Sequence, residues 1–141
     1  ELREWKKANP DGIIVSYVNT TAEVKAWTDI CCTSANALKV VQSIPPDHKI
    51  LFVPDKNLGA WIRKVTGREM ELWHGDCCVH ERITTDMILE KSRDYPQADI
   101  LIHPESHCSH DEAILNLPQA YMYSTAGMIG RTKSNLSLPQ K

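Results

Sequence analysis

Ile13-Ile14-Val15-Ser16-Tyr17-Val18 is an almost unbroken apolar run rich in β-branched residues. A strand with one wet face alternates apolar and polar residues, whereas a continuous run marks a strand covered on both faces, as in parallel sheets. Upstream, Glu1 to Ala8 can form a short helix, stopped by the turn cluster Asn9-Pro10-Asp11-Gly12. Downstream, Thr20 or Thr21 is expected to cap a helix running through Glu23 to Ala26, with Glu23 at capping-box spacing from Thr20. Asp29 to Cys32 then reads as a strand, and Thr33-Ser34 as the cap of a helix from Ala35 to Ile44 that Pro45-Pro46 ends.

The alternation continues with a strand at Lys49 to Val53, a loop at Pro54 to Asn57, and a helix from Leu58 to Val65 closed by Gly67. Glu69 to Trp73 is a strand, and Thr85 is expected to cap a helix from Asp86 to Tyr95. Asp99 to Ile102 is a strand, Asp111 to Leu115 is helical, Ala120 to Tyr123 is strand-like, and Ser124-Thr125-Ala126-Gly127 opens a last short helix. Alternating strands and helices at this spacing predict an α/β fold, a three-layer α/β/α domain with a short parallel sheet. A weak internal repeat, with Tyr17-Val18-Asn19 before Thr33-Ser34 and His103-Pro104-Glu105 before Ser124-Thr125, divides the chain near residue 78. Residues 1–78 are expected to form one α/β domain, and residues 79–141 the first, incomplete part of another of the same kind. From Arg131 onward the composition turns polar, without a strand pattern.

The 141 residues are 42% hydrophobic and 24% charged, which describes an ordinary soluble protein. A net charge of −2 argues against electrostatic binding to nucleic acid. No apolar run approaches the length of a membrane span, and Glu1-Leu2-Arg3-Glu4 does not read as a signal peptide. Cys31, Cys32, Cys77, Cys78 and Cys108 are odd in number and partly adjacent, unlike a secreted disulfide framework, which points to a reducing, cytoplasmic setting. The four tryptophans are expected to be packing residues.

Trp73-His74-Gly75-Asp76-Cys77-Cys78-Val79-His80-Glu81-Arg82 is the densest stretch of ligand and acid–base chemistry, with Gly75 expected to permit a sharp turn. In parallel sheets ligands gather beyond the carboxyl ends of the strands. Polar residues fall at six such ends: Tyr17 and Asn19, Thr33 and Ser34, Asp55 and Asn57, Cys77 and His80, His103 and Glu105, Ser124 and Thr125. Cys77 suits iron or zinc, but one cysteine cannot hold a cluster. His80 is either a ligand or acid–base group, or an ordinary loop histidine. His103 and Glu105, stiffened by Pro104, suit proton transfer, with helix capping by Glu105 as the alternative. Thr33-Ser34 and Ser124-Thr125 are either anion-binding helix starts or plain caps. Tyr17 serves either the core or the site, and His103, His107, Cys108 and His110 admit a zinc reading.

Five segments resemble the quinolinate synthase family in order: Tyr17 to Lys25, Cys32 to Ala37, Pro54 to Gly59, Cys77 to Glu81, and His103-Pro104-Glu105. The likeness runs from about Ile13 to Gly127, the middle and later parts of the family pattern. It implies a lyase-like transferase of de novo NAD biosynthesis that condenses iminoaspartate with dihydroxyacetone phosphate, with a functional link to L-aspartate oxidase. It further implies three similar domains around a [4Fe–4S] cluster held by one cysteine from each, with one iron open as a Lewis acid. Cys77 matches the middle-domain ligand, three residues before His80. Tyr17, Asn19, Ser34, Ser124 and Thr125 match substrate-binding positions, His80 and His103 substrate contacts, and Glu105 the proton-transfer carboxylate, with Tyr17, His80, His103 and Glu105 as the catalytic set.

The departures are specific. The first domain and the last strands, with the other two ligands, have no counterpart here. Ser106 stands where many relatives have cysteine, Tyr123-Ser124-Thr125 replaces Gly-Ser-Thr, and the tail from Arg131 does not follow the family. The chain alone is therefore expected neither to hold a stable cluster nor to catalyse. The competing expectation is a non-catalytic α/β module that binds small anions without a cluster.

Overall fold

A computed structural model describes residues 1–136, and among them strands and helices alternate as the sequence predicts. The central strand is β1 (Ile13–Tyr17), flanked by β2 (Ile30–Cys32) and β3 (Ile50–Val53), with β4 (Glu71–Leu72) outside β3. All pairings are parallel, and they place Tyr17 opposite Cys32 and Ser16 opposite Val53.

Both faces of β1 and β3 are covered, which is why their sequences are apolar throughout. Val15, Tyr17, Ile50 and Phe52 face one cluster, shared with Ala37 and Val41 of α3 (Ala37–Ser43) and Leu58 and Ile62 of α4 (Lys56–Thr66). Ile14, Leu51 and Val53 face the other, covered by Leu2 and Trp5 of α1 (Leu2–Ala8) and Val24 of α2 (Ala22–Lys25). These layers make the α/β/α arrangement. A second parallel pair, β5 (Ile100–Ile102) with β6 (Ala120–Met122), packs Ile102, Cys108 and Ile114 against Ile88 and Leu89 of α5 (Thr85–Asp94). Ile114 belongs to α6 (Glu112–Leu115), and Lys64 of α4 reaches Glu112 at 2.6 Å. No helix of the described residues is long and apolar enough to cross a membrane.

Several helix starts differ from the sequence-based reading. Thr21, not Thr20, caps α2 by accepting from the Val24 N–H, so Glu23 falls in the first turn and the capping box does not form. Thr84, not Thr85, caps α5, and the Thr85 hydroxyl instead donates to Asp111. Thr33 and Ser34 do not cap α3. The Asn36 side-chain Oδ1 accepts from the Thr33 N–H at 2.6 Å and from its hydroxyl, so the helix begins only at Ala37 and the Ser34 hydroxyl is left for other work. Asp55 caps α4, which starts two residues before the expected position.

The last helix, α7 (Thr125–Leu136), is twelve residues long rather than short and takes in the first part of the polar tail. Residues 137–141 lie outside the described residues. Short 3-10 turns at His80–Arg82 and His107–His110 carry no sequence signal. Trp5, Trp61 and Trp73 pack against the core as expected, but Trp27 follows the end of α2 and stays exposed.

Phe52 is fully buried between α4 and the central sheet. Phe52→Ala should lower unfolding free energy by about 3–5 kcal/mol in urea denaturation, because transfer and cavity costs add. Val65→Ala, at a position 45% exposed, should stay within about 0.5 kcal/mol of the parent.

Candidate functional site

The site lies beyond the carboxyl ends of β1, β3 and β5, where segments far apart in sequence meet. β1 delivers Tyr17, and β5 runs directly into His103-Pro104-Glu105. Glu105 is 6% exposed, and its Oε2 is the point of convergence. The Tyr17 hydroxyl donates to it at 3.3 Å, His103 Nδ1 lies at 3.2 Å and His80 Nδ1 at 3.6 Å. The two imidazole rings stack with centroids 4.8 Å apart and planes within 13°.

Hydrogen bonding around His103 limits its protonation. The Glu105 backbone N–H donates to His103 Nδ1, and Nε2 shares a hydrogen bond with the Ser34 hydroxyl at 3.2 Å. An acceptor nitrogen beside a carboxylate oxygen is unfavourable unless the carboxyl holds a proton. Burial, with the Asp55 charge nearby, pushes the Glu105 carboxyl up to about 7. Burial, and then the neighbouring His80, lower the His103 imidazole. Burial, and then Glu105, raise the Tyr17 phenol to about 12, so it remains a donor.

Cys77 is placed by backbone contacts. The Asp55 carboxylate accepts from the Leu58 N–H at 2.7 Å and from the Cys77 N–H at 3.2 Å. Gly75 pairs with Asp55 in a parallel bridge, and its carbonyl accepts from the Lys56 N–H at 2.7 Å. A Cβ on Gly75 would stand 2.5 Å from the Pro54 carbonyl oxygen. Close approach, rather than the expected sharp turn, therefore demands glycine, since the left-handed glycine of the chain is Gly67, at the end of α4.

A cavity of about 260 Å³ is lined by Tyr17, Asn19, Asp55, Cys77 and Glu105, among others. A second, of about 300 Å³, is lined by His80, His103, Ser106 and Thr125 together with apolar side chains. Tyr17, Asn19, Ser34, Cys77, His80, His103, Glu105 and Thr125 are thus gathered around one locus. The Ser124 hydroxyl accepts from the Gly127 N–H at the start of α7.

The zinc reading of His103, His107, Cys108 and His110 does not survive. Cys108 is buried with Ile102 and Ile114, and burial raises its thiol to about 11. His107 turns to Glu81 instead. Among the described residues, the group able to hold a metal ion is His80, His103 and Glu105, whose ligand atoms lie within 4.8 Å of one another. Sequence reasoning also missed Glu81, which accepts from Asn57 at 2.8 Å, Lys56 at 3.1 Å and His107 at 3.2 Å. These donors, Asn57 first, pull its carboxyl down to about 2. Only its place beside His80 hinted at this.

A parallel α/β edge thus gathers a shielded carboxyl, two stacked imidazoles, a phenol and a thiol at one strand-end site. Residues 1–138 match the family model described as Quinolinate synthetase A protein, and the chain belongs to that family. It is 53% identical over 105 residues to a quinolinate synthase of Synechocystis, covering 74% of this chain and 33% of that protein. It is 51% identical over 128 residues to one of Desulforudis audaxviator (91% and 41%), and 44% identical over 139 residues to one of Pyrobaculum aerophilum (96% and 45%). The chain therefore spans between a third and a half of the length of these relatives.

The raised Glu105 carboxyl has a thermodynamic consequence. Between the ordinary value of 4.5 and about 7 the folded state binds more protons than the unfolded one, so Glu105 makes stability fall as pH rises through that window. Glu105→Gln should remove this slope. Urea denaturation of both proteins across the window should show the parent losing stability relative to the variant, and parallel curves would contradict the assignment.

Proposed function

We propose that this chain forms the central part of a quinolinate synthase, condensing iminoaspartate with dihydroxyacetone phosphate to quinolinate for NAD biosynthesis. Residues 1–78 would be the middle domain and residues 79–141 part of the following one. The observation that carries the reading is the Glu105 carboxyl oxygen held 3.2–3.6 Å from the polar atoms of Tyr17, His103 and His80.

The condensation ends in dehydration and tautomer shifts, which require a group that takes and returns protons near neutrality. Glu105, at about 7, suits that task, because proton exchange is most effective when the group's pKa lies near the working pH. His103 presents Nδ1 to Glu105, and Tyr17 keeps its proton as a donor to substrate oxygen. Asn19 would hold the substrate beside Tyr17, while Ser34, Thr125 and Ser124 would bind phosphate or carboxylate oxygens, Ser124 after giving up its capping bond. His80 would contact substrate across the stacked pair.

The donor set partly fits a [4Fe–4S] cluster. Cys77 borders the cavity that Glu105 enters and would be one ligand. Cys32 is buried with its thiol raised to about 12, Cys108 is buried in the core, and Cys31 and Cys78 are exposed. Among the described residues, then, the cavity has one thiol, and the other ligands would come from beyond this chain. When bound, the cluster would supply a Lewis-acidic iron for a substrate oxygen. A cytoplasmic setting and a functional link to L-aspartate oxidase, as the source of iminoaspartate, belong to the same reading.

Anaerobic reconstitution with iron and sulfide should leave the isolated chain without a stable cluster, by optical and paramagnetic spectra. A cluster that forms there and survives Cys77→Ser would sink the ligand assignment. In the full-length polypeptide, Glu105→Gln should lower kcat by about 10²–10⁴, the usual range for loss of a general acid–base group.

A further inference from the structure

The start of α4 holds two segments of the site, residues 76–81 and the backbone of Glu105. Asp55 holds the Cys77 N–H, and Lys56 pairs with Asp76 at 3.0 Å and Glu81 at 3.1 Å. Asn57 is the innermost of the three, 1% exposed. Its amide nitrogen donates twice, to Glu81 Oε2 at 2.8 Å and to the Glu105 backbone carbonyl at 3.1 Å. Two N–H groups on one planar nitrogen are directed outward at a fixed angle, so they set the separation of whatever accepts them. One acceptor belongs to the turn that carries His80, and the other to the residue that carries the central carboxyl. An apolar side chain would fill the same space without fixing that separation.

We infer that Asn57 is a positioning residue: its buried amide holds the His80 turn and the Glu105 backbone in register, so that the Glu105 carboxyl meets His80 and His103. This rests on the reading of Glu105 as the proton-transfer group. Glu81 is the other half of the device. Asn57 itself, then Lys56 and His107, keep it ionised, and it anchors the amide from the turn that carries His80.

The experiment uses the full-length polypeptide with its cluster assembled, and compares Asn57→Ala, Glu81→Ala, Glu81→Gln and the Asn57→Ala/Glu81→Ala pair. Asn57→Ala should lower kcat about tenfold to a hundredfold, the scale of a misplacement of about 1 Å, with KM changed less than about threefold. The cluster spectrum should be unchanged, because Cys77 is held by Asp55. Glu81→Ala should lose activity in the same direction, and Glu81→Gln, which keeps an acceptor oxygen, should recover most of it. The double variant should lose less than the product of the single losses, since both remove one contact.

A kcat for Asn57→Ala within about twofold of the parent, with only the melting temperature lowered, would overturn the inference; the threshold is the scatter expected of an uninvolved site. If Asn57→Ala fails to fold, the half-exposed Glu81 carries the test, and full activity in Glu81→Ala overturns it. Glu105→Gln separates the two levels. An active Glu105→Gln enzyme removes the functional reading itself, whereas an inactive one beside a fully active Asn57→Ala removes only the role of Asn57.

Discussion

Parallel pairing of β1 with both β2 and β3 is the constraint on which the site depends. Parallel strands end at the same edge, so Tyr17, Cys32 and Val53 leave the sheet side by side. Each connecting segment must then turn within a few residues to start the return helix, and its polar groups face a common space. The second pair, β5 and β6, brings its own carboxyl edge to the same place through Glu105 and Thr125. Ladder hydrogen bonds gather the strand ends within each sheet, and contacts from α4, through Asn57 and Lys64, join the two edges. The sheets would form with most of those side chains altered, and the side chains could not find one another without the sheets.

Two glutamates show how position decides chemistry. Glu81 is surrounded by donors and held as a carboxylate near 2, while burial and the Asp55 charge raise Glu105 to about 7. Environments that push two like groups apart in this way separate anchor from acid–base group. Asp55, also buried and raised, stands between these roles: it caps α4, holds the Cys77 backbone and adds to the field that Glu105 feels.

Much of this was legible in the chain. The apolar run at Ile13 marked a doubly covered strand, and strand ends selected the edge where Tyr17, Cys77, His80, His103 and Glu105 meet. The misreadings were local competitions between near-equal caps. Thr20 and Thr21, or Thr84 and Thr85, have the same chemistry one residue apart, and only the angle at which the chain leaves the preceding segment decides. At Thr33-Ser34 the Asn36 amide took over the donors, a side-chain turn that propensity alone does not reveal. Glu81 was overlooked because its value lies in partners at positions 56, 57 and 107, which no short-range pattern connects.

Gly75 ties the segment that carries the thiol to the backbone just past β3, with no side chain in between. The contact is peptide against peptide, so nothing there can rotate aside to absorb a change. Most positions around a site tolerate gradual drift in size and shape, because neighbouring rotamers adjust. This one admits a hydrogen atom and rejects a methyl group. A chain lineage exploring new chemistry could vary Asn19, Ser106 or Thr125 by small steps, but to relocate the thiol it would have to rebuild the crossing of two main chains at once. The location of Cys77 is thereby set by main chain meeting main chain rather than by side-chain packing.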